Sequence, residues 1–156
     1  MANHPSSDLP GATEARLSAA AADARSVAGD LYFAGAKVDV VGKKVDVYLA
    51  HAPQSLVAQI EAMHPGLCVI HNAARNTLRK ALALQESIDL TALRSEGIEV
   101  VRLGPTCDGY LGIGVSSDAL AAQAALDTKY GSDTIRIYAA EPAAFLPYPP
   151  RRPSRE

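Results

Sequence analysis

The stretch LGIGVSSDAL, residues 111–120, sets two glycines, two serines and an aspartate between an apolar run and an alanine-rich one. Residues of these types can cradle a phosphate, supply a nucleophile or cap a helix. A phosphate loop of the Walker kind needs a lysine after its second glycine to neutralise the phosphates, and none follows here. A dinucleotide fingerprint puts its glycines in the turn that opens a helix, whereas Gly112 and Gly114 stand two apart inside an apolar strand pattern. They read as bare backbone that lets a helix or a neighbouring strand come close.

Ser116, Ser117 and Asp118 read as cap chemistry, their oxygens taking free N–H groups of the first helical turn. The G-x-S-x-G frame of a nucleophilic serine is missing. An anion held at this helix start is the remaining ligand reading. His51, in the corresponding loop of the first half of the chain, belongs with it.

The other titratable candidates disperse. His51 and His64 flank one helix, about 20 Å apart at 1.5 Å per residue, so they share no ion. Cys68 and His71, three apart on one strand, point to opposite faces. No metal site and no cofactor is expected. Asp39 and Asp46 could face each other across a hairpin as a carboxylate pair, yet beside Lys37 and Lys44 they read as a solvated strand face. The run DGYLGIGV, 108–115, touches the RNA-binding strand signature at Gly109 and Tyr110 but lacks its basic residue and its later rings. Nucleic acid is therefore not an expected partner.

These residues are positioned by elements legible from periodicity. The chain has 156 residues, 48% of them hydrophobic and 5% aromatic, with no Trp. That suits one domain, or two small halves sharing a core of small aliphatic side chains. Residues 1–12 read as a flexible lead, and a helix runs from Thr13 to about Ala28 with Gly29 as its stop, so 1–30 form one segment. KVDVVGKKVDVYL, 37–49, alternates apolar and polar residues on both sides of a Gly42-centred turn, a β-hairpin with one wet face. A helix opened by Pro53 and a short strand at 67–70 follow, completing a unit over 31–74.

Residues 75–97 read as a linking helix capped by Asn76, with a break around Ser87–Leu90. A second hairpin, helix and strand fill 98–141, and a proline- and arginine-rich tail covers 142–156. The order of elements repeats, which predicts an α+β fold of duplicated hairpin–α–β units. Antiparallel sheets with helices on one side are expected, ferredoxin-like or a close variant.

From Leu146 onward three arginines oppose one glutamate, a local +2, which leaves −4 for the rest of a chain of net charge −2. A mildly acidic body does not draw phosphate backbones or anionic membranes. No run of 18 apolar residues appears, so no membrane span is expected. The first residues lack the basic-then-apolar order of a secretory leader, which for a full native chain means a cytoplasmic protein. Cys68 and Cys107 read as two separate thiols.

The segment SEGIEVVRLGPTCDGYLGIGVSSDALAAQAALDTKYGSDTIRIYAAEP, 95–142, resembles the pro-region modules of actinobacterial secreted trypsin-like serine proteases. HPGLCVIHNAARNTLRKALALQESI, 64–88, is similar to the element that joins their repeats. The resemblance implies a folding assistant or partner-binding module with a sheet edge or face as its contact surface. It carries over no catalytic residue, because neither Ala-Ala-His-Cys nor Gly-Asp-Ser-Gly-Gly is present.

The function expected is thus non-catalytic contact with a protein partner or a second copy, through the wet faces around Tyr48 and Tyr110. The alternative is a small-molecule-binding protein or enzyme with a cleft between the repeats near His51 and Ser116–Asp118.

Overall fold

A computed structural model describes residues 10–142; residues 1–9 of the expected lead and all but the start of the expected tail lie outside the described residues, while Pro10–Ala12, expected in the lead, already belong to the first helix. The chain runs α1 (Pro10–Tyr32), β1 (Phe33–Asp39), β2 (Lys44–Leu49), α2 (Gln54–Met63) and β3 (Cys68–His71). It continues through α3 (Leu78–Ser87), α4 (Leu90–Ser95), β4 (Val100–Pro105), β5 (Leu111–Val115), α5 (Ala119–Tyr130) and β6 (Ile135–Ala139).

Two three-stranded sheets result, ordered β1-β2-β3 and β4-β5-β6. The fold is α+β, of the ferredoxin-like kind in which helices lie against sheets. The hairpins β1–β2 and β4–β5 are antiparallel, but β2–β3 and β5–β6 are parallel. The sheets are therefore mixed rather than antiparallel throughout. The reason is the crossover: a helix between β2 and β3 returns the chain to its starting end, so the third strand must run with the second.

The two sheet units are similar in detail. Each hairpin has a register shift at the same place, between Phe33 and Gly35 in one and between Val100 and Arg102 in the other. The residue after each central strand bonds back alike, Ala50 N–H to Tyr32 O at 2.8 Å and Ser116 N–H to Glu99 O at 3.0 Å.

Period-two alternation puts one side of each central strand in a core. Val45, Val47 and Leu49 are fully buried against Leu17, Ala20 and Ala24 of α1 and Val57 and Ile60 of α2. Leu111, Ile113 and Val115 are buried in the same way with Leu93 of α4 and Ala122 and Leu126 of α5. The alanines of α1 leave its backbone free to approach the sheet closely. Gly29, at φ 58° and ψ −171°, kinks that helix before it feeds β1.

Several local expectations change. Strand β1 begins at Phe33, and Val40, expected in the strand, lies in the turn with Val41, exposed to 40% and 95%. The linking segment does break between Ser87 and Leu90, as expected, into two helices, with Asp89 capping the second through the N–H groups of Thr91 and Ala92, both at 3.0 Å. Thr77, not Asn76, caps α3, its hydroxyl accepting from Lys80 N–H at 3.3 Å.

The units meet along a tight joint. An added Cβ at Gly35 of β1 would lie 2.8 Å from the Cα of Cys107, in the β4–β5 turn. Gly109 of that turn, at φ 86°, passes so close to the backbone of Asn76 that a side chain there would strike it. Arg75 fixes the same turn, its N–H donating to Asp108 O at 2.8 Å and its Nε to Asp133 O at 3.0 Å.

Candidate functional site

The helix start at Ser116–Asp118 is occupied by its own side chain. Asp118 is the N-cap of α5, and its Oδ1 accepts from the N–H groups of Leu120 and Ala121 at 3.0 and 3.2 Å. The serines serve a different neighbour. Ser117 Oγ accepts from Glu99 N–H at 3.2 Å, and Ser116 Oγ donates to Glu99 Oε2 at 3.0 Å. They tie α5 to the start of β4 rather than capping the helix. With Asp118 and Glu99 both at this point, the end of the helix faces two carboxylates.

His51 stands exposed in the β2–α2 turn at φ 54°. The hollow of about 210 Å³ lined by Ser117 and Asp118 is completed by Glu96, Gly97, Ile98 and α5, without His51. The side chain that organises the first unit's turn is Asn72. Its Oδ1 accepts from Ala52 N–H at 2.7 Å and its Nδ2 donates to Ala52 O at 2.8 Å. An asparagine just past a strand is the only signal the sequence carries for this clamp.

The open faces of the sheets carry the more developed arrangement. Tyr48 on β2 stacks on His71 of β3, ring centroids 4.7 Å apart and planes 19° from parallel. His71 Nε2 donates to Asp46 Oδ1 at 2.8 Å. Asp46 thus belongs to β3's histidine. It pairs in register with Lys37, and Asp39 with Lys44, so the two aspartates do not face each other. Asp39 instead accepts the N–H of Gly42 at 2.9 Å and staples the turn.

The second unit continues this surface across the joint. Arg136 lies over the ring of Tyr110, 3.7 Å from its centroid, and Nη1 donates to Asp108 Oδ2 at 2.6 Å. Asp108 also accepts the Thr106 hydroxyl at 2.6 Å. Burial holds the Tyr48 phenol above its ordinary pKa of 10.0, and the negative groups Asp46, Cys107 and Asp108 push it the same way. Gly35, the register partner of Tyr48, lies against Cys107, which sets Tyr48 of one unit beside the β4–β5 turn of the other. Asp46, His71, Tyr48, Asp108, Arg136 and Tyr110 form one aromatic and charged surface.

Gly112 and Gly114 face this open side, and what comes close to them belongs to the neighbouring strands rather than to a helix. They seat the ring of Tyr138 from β6: added Cβ atoms would lie 3.6 and 3.0 Å from its ring carbons. Bare backbone on the central strand lets a ring from the edge strand lie flat across it.

The remaining candidates have structural partners. His64 at the end of α2 bonds Asp23 of α1 at 2.8 Å, joining two helices. Cys68 and Cys107 are free thiols, and burial raises the pKa of Cys68 above 9.0. Among the described residues, no three His, Cys, Asp or Glu side chains gather as a metal site, and no helix is long and apolar enough to cross a membrane. A groove of about 850 Å³ between α1 and α3, lined by Arg25, Phe33, Leu78 and Leu82, lies on the helical side. No family model, curated protein or solved structure matches the chain.

Proposed function

We propose that the chain is a non-catalytic protein-interaction module that presents the open faces of its two sheets to a protein partner, around Tyr48 and Tyr110. The observation that supports this most is that the Asp46–His71–Tyr48 and Asp108–Arg136–Tyr110 clusters lie on either side of the joint where Gly35, paired with Tyr48, meets Cys107. Tyrosine and arginine are the side chains that carry binding energy at protein interfaces. Here they are half-exposed and already fixed by neighbours, which lowers the entropy lost on binding. The role implied by the pro-region resemblance, a folding assistant or partner-binding module, uses the same kind of surface.

The small-molecule alternative draws less support. The hollow at Ser117 and Asp118 holds about 210 Å³, below the roughly 300 Å³ at which ligand clefts begin, and the larger hollows, about 410 Å³ between the units and about 850 Å³ between α1 and α3, are lined by neither His51 nor Ser116–Asp118. The test is capture from the source cells with the wild type and with the double variant Tyr48→Ser, Tyr110→Ser. A stoichiometric partner that binds the wild type and is lost with the variant supports the proposal. A protein that recovers no stoichiometric partner and stays a lone monomer overturns it.

A further inference from the structure

Each sheet ends on a strand that enters parallel after a helix, β3 in one unit and β6 in the other, and their outer edges differ. The ladders match in register: Val45↔Cys68 corresponds to Leu111↔Ile135, and Val47↔Ile70 to Ile113↔Ile137. The bonds that open them match as well, Val45 N–H to Leu67 O at 2.8 Å and Leu111 N–H to Thr134 O at 3.1 Å. Alternate residues of such a strand bond inward, so Cys68 and Ile70, like Ile135 and Ile137, turn their N–H and C=O groups outward.

The β6 edge is closed by a side chain. Gln123 of α5 accepts Ile137 N–H at 2.9 Å and donates to Ile135 O at 3.0 Å, in the manner of a neighbouring strand. The corresponding residue of α2 is Ala58. Val57 and Ala122 are both buried, and each donates its N–H to the carbonyl of the cap residue, Pro53 at 3.2 Å and Asp118 at 3.0 Å. Ala58 and Gln123 are the residues that follow. Ala58 is exposed and has no group to bond with, and among the described residues no side chain or loop backbone bonds the outward groups of Cys68 and Ile70.

The other two outer edges carry their own blocks. Pro105 stands on β4 with no N–H to give. The outward Ala36 C=O of β1 faces the Cys107 thiol at 3.8 Å, under the turn of the other unit. Strand β3 has neither device. From Pro65 to Ala74 there is no Lys, Arg, Asp or Glu, and Val69 on the open side is 37% exposed. Strand edges are ordinarily guarded by charge, proline or cover, because an unguarded edge pairs with another strand.

We infer that the chain dimerises through β3, the strand of one copy pairing antiparallel with the same strand of the other about Val69. The strand fits itself. Cys68 of one copy lies opposite Ile70 of the other, and each such pair exchanges two backbone bonds, which uses the outward groups that β2 leaves free. Val69 meets Val69 of the other copy where side chains come closest, so exposed apolar surface is covered and no like charges face each other. One open edge per molecule also decides the size: the contact is isologous and closes at two copies. The four residues of β3 make a short ladder, so association depends on concentration. The contact is an edge and does not rest on the reading of the open sheet faces.

Sedimentation equilibrium on the full chain, from about 1 μM to about 1 mM, reads the mass. The wild type is expected to rise from monomer towards dimer and no further. Val69→Lys and Val69→Glu each set like charges opposite one another and are expected to weaken association about tenfold or more, while their mixture restores a heterodimer. Ala58→Gln supplies the clamp that Gln123 provides in the second unit and is expected to weaken association in the same way. Both positions are exposed, so melting temperatures are expected to stay near that of the wild type. Amide exchange reads the edge without any substitution. Ile70 N–H is expected to gain protection as concentration rises, while Ile137 N–H, held by Gln123, is protected throughout.

A wild type that stays monomeric throughout, charge variants whose mixture gains no mass, or an Ile70 N–H whose exchange ignores concentration overturns the inference. A photoreactive residue at position 69 that captures a different protein from a monomeric chain gives the edge to that protein and overturns it too. If dimers are absent while Tyr48 and Tyr110 still govern capture of another protein, only this inference falls.

Discussion

Gly35 and Cys107 meet backbone to backbone. An added Cβ at Gly35 would lie 2.8 Å from the Cα of Cys107 and 3.0 Å from its carbonyl oxygen. The two sheet units are docked through a point where one strand has no side chain, and the aromatic surface on either side depends on that docking. Gly35→Val is expected to cost about 2–3 kcal/mol in chemical denaturation, because backbone must move to admit it. It should also lower the pKa of Tyr48 by moving Cys107 and Asp108 away, a change an absorbance titration detects.

Two glycines on adjacent strands are expected to behave in opposite ways. At Gly114 an added Cβ would lie 2.9 Å from Ala140 Cβ and 3.0 Å from the Tyr138 ring, whereas at Gly104 it meets nothing within 4 Å. Gly114→Val should destabilise by about 2 kcal/mol through overpacking. Gly104→Val should be neutral or stabilise by about 0.5 kcal/mol, since glycine weakens a strand interior. Thermal melts of the two variants side by side check the contrast.

The residues around Ser116–Asp118 act on stability. Asp118 holds two first-turn N–H groups of α5, so Asp118→Ala is expected to cost about 1 kcal/mol. Ser117→Ala removes a single bond to Glu99 N–H and should cost less. Neither change, nor His51→Ala, is expected to alter partner capture; a loss of binding at unchanged melting temperature would instead favour a ligand cleft.

Tyr48 should ionise above the ordinary phenol pKa. Burial first, and then the negative groups at Asp46, Cys107 and Asp108, raise its folded pKa above 10.0. The folded protein then holds more protons than the unfolded chain just above that pH. The stabilising contribution is full below pH 10.0 and is lost as pH rises through the folded pKa. Ultraviolet titration should show a phenol ionising above pH 10.0 that is absent in Tyr48→Phe.

How much of this was legible in the sequence follows from which interactions are local. The hairpins and the inward sets Val45–Val47–Leu49 and Leu111–Ile113–Val115 follow from alternation alone. The repeated order of elements was visible for the same reason. Strand β1 reaches back to Phe33 because Phe-Ala-Gly-Ala pairs with β2, although nothing in that run alternates. The parallel third strands come from the return of the chain after each helix, which periodicity does not report.

The site was legible in its parts and not in its assembly. Tyr48 and Tyr110 could be placed on wet faces, but the stacking of Tyr48 on His71 and of Arg136 on Tyr110 joins separate strands. The glycines of the 111–115 run were readable as bare backbone, while the ring that lies on them comes from Tyr138, beyond a whole helix. Ser116 and Ser117 have the composition of a cap, and Glu99, 17 and 18 residues away, takes both.

The central claim, that the joined open faces around Tyr48 and Tyr110 are a protein-contact surface, is tested most directly by site-specific photo-crosslinking in the source cells. A photoreactive amino acid is placed at Tyr110, and in a parallel strain at Thr128 on the exposed side of α5. The account predicts one discrete adduct with a defined protein from position 110 and none from position 128. Equal or absent adducts at the two positions would contradict it.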